Sequence, residues 1–142
     1  MRTLIEDVIA VIEAIAPAGT LTLSPTALNA QNTPQTITEK VFSVTLQSQN
    51  SDKYRDKSPG GRMRYAHALT VALMCRTKPQ NQMLGYTEAL DLEELVTLAM
   101  LNQASLPTYR VFYDRSQRAI TQTGEFVLIQ IEFSIEQNIS IT

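Results

Sequence analysis

Residues 125–136 read EFVLIQIEFSIE. Phe126, Leu128, Gln130, Glu132 and Ser134 alternate there with Val127, Ile129, Ile131, Phe133 and Ile135. Successive side chains of a strand point to opposite faces, so the second, wholly apolar set predicts a strand that turns one face to a core over at least nine residues. Upstream, Tyr109 to Asp114 reads as the shorter arm of a hairpin, with the polar run Arg115, Ser116, Gln117 and Arg118 as its turn.

Two further strands are expected. Val41 to Gln47 sets Phe42, Val44 and Leu46 against Val41, Ser43 and Thr45. From Tyr65 to Thr77, Tyr65, His67, Leu69, Val71, Leu73 and Cys75 alternate with Ala66, Ala68, Thr70, Ala72, Met74 and Arg76. Alanine and methionine make helix the competitor for this second run, and the strict period of two favours strand. Thr20 to Leu23 is a candidate short strand, followed by a loop through Pro34.

Helical spacing occurs twice. Leu4, Ile5, Val8, Ile9, Ile12 and Ile15 fall on one helical face, and Pro17 and Gly19 stop that helix. A second helix is expected from about Thr87 or Leu92 to Asn102, with Asp91 and Glu94 as a capping box and Lys78 to Gly85 as the loop before it. Strands in runs with helices outside them predict an α+β fold: a twisted antiparallel sheet of four or five strands, flanked by two helices. At 142 residues one domain spanning 1–142 is expected.

The remaining stretch, Gln49 to Arg64, has no apolar periodicity and centres on Ser58-Pro59-Gly60-Gly61, so it is expected to be a long loop. It holds Lys53, Arg55, Lys57, Arg62 and Arg64, five of the twelve basic residues, in a chain whose net charge is −2. That overall charge speaks against nonspecific nucleic-acid binding by the whole surface. The concentration of bases makes the loop a candidate interface or polyanion contact.

Chemistry is sparsely signalled. The one histidine, His67, and the one cysteine, Cys75, lie eight residues apart on one strand face, roughly 27 Å along an extended chain, too far to act as base and nucleophile. With so few ligand types and no ligand spacing, no metal site is expected and no cofactor motif is present. Glu93, Glu94, Glu132 and Glu136 read as solvated carboxylates. Glu6, Asp7 and Glu13 interrupt the N-terminal apolar run, so neither a signal peptide nor a membrane span is expected.

The order of elements resembles the tail terminator, or tail completion, proteins of long-tailed bacteriophages. The matching stretches are Leu4 to Ile15, Val41 to Leu46, Ala66 to Arg76, Asp91 to Asn102 and Glu125 to Glu136. The resemblance rests on organisation over nearly the whole chain, not on a motif. It implies a virion protein of the tail and neck without enzymatic activity. Six copies would form a ring that caps the tail tube and stops its polymerisation, joining it to a head-side connector or stopper protein, with DNA passing through the lumen. The bases Lys53, Arg55, Lys57, Arg62 and Arg64 would then lie at the lumen or an interface. Ile139 and Ile141, which continue the apolar alternation of the C-terminal tail, would add to a neighbour. The two helices favour this family over barrel-dominated head-closure proteins. Another neck or tail-tube subunit, and a small ligand-binding or catalytic domain built around His67, are the alternatives.

Overall fold

The structure, a computed structural model, describes residues 2–15, 21–24, 28, 40–51, 62–77, 80–120 and 125–140. The chain order is α1 (Arg2–Glu13), β1 (Thr22–Leu23), β2 (Lys40–Ser51), β3 (Arg62–Arg76), α2 (Gln82–Leu101), β4 (Arg110–Ile120) and β5 (Phe126–Ser140). The strands form one sheet in the order β1-β2-β3-β5-β4. The four long strands are antiparallel and β1 runs parallel to β2, so the α+β expectation holds with a mixed sheet in place of a purely antiparallel one.

Both helices cover the same sheet face. Leu4, Val8 and Ile12, four residues apart, line up on α1 and are buried with Phe42 of β2, the odd-numbered apolar residues of β3 from Leu69 to Cys75, and those of β5 from Val127 to Ile135. The periodic sets read from β2, β3 and β5 are thus the sets that face the core. On the opposite face a smaller cluster joins Leu28 to Val41, Ala72, Met74, Phe126 and Leu128. The backbone N–H of Leu28 donates to Ser43 Oγ at 3.2 Å.

Four expected boundaries move. Helix α2 begins at Gln82, where the Asn81 side chain accepts from the Leu84 N–H, so Asp91 and Glu94 are interior and form no capping box. Gly85 lies inside that first turn because the helix passes so close to Thr77 that a Cβ there would stand 2.6 Å from Thr77 Cγ2. Residues 115–118 are strand, with a bulge between Tyr113 and Arg115, and β4 continues to Ile120 opposite Val127. The expected loop from Gln49 to Arg64 is strand at both ends: Gln49, Asn50 and Ser51 pair with β3, and Arg62 and Arg64 pair with β5. The C-terminal tail is paired within its own chain as far as Ser140, opposite Arg62.

Candidate functional site

Three features remain once the core is assembled. The first is the end of the β3–β5 ladder. Among the described residues the β2–β3 pairing runs to Ser51 opposite Tyr65, and β4 begins at Arg110 opposite Glu136. Beyond those pairs the described sheet is two strands wide, with Arg62, Met63 and Arg64 opposite Ser140, Ile139 and Asn138. Three of the residues singled out from sequence, Arg62, Arg64 and Ile139, are therefore neighbours across one ladder, although sequence placed them in separate features. Lys53, Arg55, Lys57 and Ile141 lie outside the described residues.

The second feature is the outer side of α2 with the adjoining strand β4. Glu93, expected to be solvated, is buried on the sheet side of α2, where Arg118 of β4 holds it by two bonds, 2.7 Å from Nε to Oε2 and 3.0 Å from Nη2 to Oε1. Next to this pair a groove of about 350 Å³ runs between helix and strand, lined by Leu90, Glu94, Thr97, Leu98 and Tyr113. On the other flank of α2 a shallow depression of about 690 Å³ is bounded by Val11, Ile15, Ala99 and Leu106. There the Tyr109 hydroxyl donates to Asp7 Oδ2 at 3.2 Å. Burial and the Asp7 charge push the Tyr109 phenol above its usual value, which keeps it a donor.

The third is the sheet face turned away from the helices. Its β4–β5 side carries two ion pairs, Arg115 with Glu132 and Arg110 with Glu136 at 3.9 Å, and a hydrogen bond in which the Ser134 hydroxyl donates to Asp114 Oδ2 at 2.6 Å. Glu132 and Glu136 are thus cross-strand partners instead of isolated solvated carboxylates.

His67 and Cys75 are both buried on β3. Burial lowers the His67 pKa, with the Gln137 side chain acting in the opposite direction, and burial pushes the Cys75 thiol up to about 11. Neither is presented to a substrate as a poised base or nucleophile. Among the described residues no group of three or more His, Cys, Asp or Glu could hold a metal ion. No described helix is long and apolar enough to cross a membrane. Sequence missed the Glu93–Arg118 fork and the outward leucines of α2. The only local signal for them was a helix with leucine at nearly every angle around its axis.

No family model and no curated protein matches the sequence. Among solved structures, a chain from the virion of a native gene transfer agent particle is similar in fold, with a TM-score of 0.54 at 12% identity, covering 91% of this chain and 85% of that one. At that identity the likeness shows a shared fold.

Proposed function

We propose that this chain is a structural subunit of a phage-like virion and acts as its tail terminator: a ring of six copies that caps the tail tube, halts its growth and joins it to the head-side connector, with DNA passing through the lumen. It works by assembly and not by catalysis. The observation that carries the reading is the fold shared with a chain of a virion particle over nearly the full length of both chains. A physical requirement points the same way. A closed ring needs two different, mutually complementary surfaces on each subunit, and the outer side of α2, where Leu95 and Leu98 are exposed, is an apolar surface that suits one of them.

The test is the solution mass by size exclusion with light scattering, across concentration, with and without a matching tail-tube protein. Expected is a hexamer, alone or on the tube, and tubes that stop lengthening when the chain is added, as seen by electron microscopy. A chain that polymerises alone into long tubes would be a tube subunit. A concentration-independent monomer that ignores the tube would overturn the reading and return attention to a ligand-binding domain around His67.

A further inference from the structure

Leu84, Glu88, Asp91, Leu95 and Leu98 follow one another along α2 at steps of four and three residues, so they form one row on the helix. The row lies away from Ala89, Leu92, Val96 and Met100, which α2 buries against the sheet. All five of its members are exposed, Leu84 at 54%, Leu95 at 52% and Leu98 at 59%. Leucines at that spacing, on a helix already packed on its other side, mark a second face that another surface covers.

The acids within the row decide what covers it. Glu88, Asp91 and the neighbouring Glu94 are exposed and have no ion-pair partner among the described residues, whereas Glu93 on the sheet side is held by Arg118. A twofold pairing of this row with the same row of a second copy brings Asp91 against Asp91, whether the helices run parallel or antiparallel about the centre of the row. Like charges therefore oppose an isologous contact through α2. The surface that matches is apolar and basic.

The same chain supplies the opposite charge. Its two helices hold seven of the fourteen acidic residues and one of the twelve basic ones, which leaves the helices at −6 and the rest of the chain at +4. Copies polarised in this way attract when the helical side of one meets a different, basic side of the next, and repel when helix meets helix.

We infer that the outer side of α2 docks on a second copy through a basic surface outside the helices, so that the contact is head-to-tail and never α2 to α2. A heterologous contact of this type is the one that closes into rings. The inference rests on the ring reading and gives the chemistry of the surface that mates with α2.

The test follows the mass of the full-length chain by light scattering over a dilution series at about 50 mM and about 500 mM salt, which shortens the screening length from roughly 14 Å to roughly 4 Å. With opposite charges across the contact, the higher salt is expected to raise the concentration for half-assembly by about tenfold or more. Acid against acid gives the reverse sign. A variant with Glu88→Lys and Asp91→Lys is expected to stay below the native mass at native concentrations, with an unchanged melting temperature because both side chains are exposed. Mixed in equal amounts with the native chain, it is expected to lower the yield of rings, since every variant subunit leaves one junction unmade. An α2–α2 contact would instead join native and variant helices by opposite charges. A mixture that assembles better than either chain alone, or native assembly strengthened by salt, overturns the inference. If the native chain forms rings and the variant forms them equally well, α2 is outside the contact and the ring reading stands without it. A native chain that stays monomeric with and without tube protein removes both readings together.

Discussion

Arg118 and Glu93 form a forked ion pair whose partners differ in their access to water: the Glu93 side chain is 7% exposed and that of Arg118 is 44% exposed. The pair fastens β4 to α2, and the asymmetry fixes which substitution costs more. Arg118→Ala leaves a buried carboxylate with no cation, a defect of about 2–3 kcal/mol after discounting for the half-exposed geometry. Glu93→Ala returns the guanidinium to water and costs about 1 kcal/mol. Urea denaturation of both variants measures the difference, and equal losses would contradict the asymmetry.

Gly85→Ala is expected to destabilise the fold although alanine is the better helix former by about 1 kcal/mol. The added Cβ would lie 2.6 Å from Thr77 Cγ2, 2.8 Å from its Cβ and 3.2 Å from its Cα. The last is backbone, so a rotamer change cannot clear the contact. Overpacking of this kind costs about 1–3 kcal/mol. The net expectation is a lower melting temperature for the variant, and a higher one would show that the helix shifts freely.

These two sites mark where local sequence stops being informative. The alternation in β5 and the four-residue spacing in α1 were legible because one face of each is buried and the other is not. The start of α2 was hidden by Pro79, Asn81 and Gly85, which suggest a loop. Asn81 is in fact the cap, and Gly85 answers to Thr77, which lies in the connection after β3. Arg115 and Arg118 suggested a turn because their partners, Glu132 and Glu93, are 17 and 25 residues away. Arg62 and Arg64 were visible as part of a basic cluster, whereas their pairing with Ser140 and Asn138 was not, because contact between distant segments leaves no local signal.

Cys75 is expected to report on unfolding. Burial, the leading cause, pushes its thiol up to about 11, so at pH 8 about one molecule in a thousand is in the reactive thiolate form, and the side chain is enclosed as well. A chromogenic disulfide reagent should label the native protein slowly, at a rate that follows the population of open molecules as urea is added. Stoichiometric labelling within minutes in native buffer would show that this part of β3 opens readily.

His67 should make the protein acid-sensitive in a defined window. It is buried on the core face of β3, and desolvation holds its imidazole below the ordinary value of 6.5. The unfolded chain therefore takes up a proton near pH 6.5 that the folded chain still refuses. The stability associated with the neutral ring is fully present above that pH and is lost as pH falls from 6.5 through the lower folded value, at up to about 1.4 kcal/mol per pH unit. Carboxylates also titrate below this window, so the informative quantity is the difference between native protein and His67→Gln, which stays neutral throughout. Melting temperatures measured from pH 8 to pH 5 should fall more steeply for the native protein than for the variant, with the divergence beginning near pH 6.5. Parallel curves would mean that the folded chain admits the proton at His67 without loss, and the imidazole would then be as well solvated in the native state as in the unfolded one.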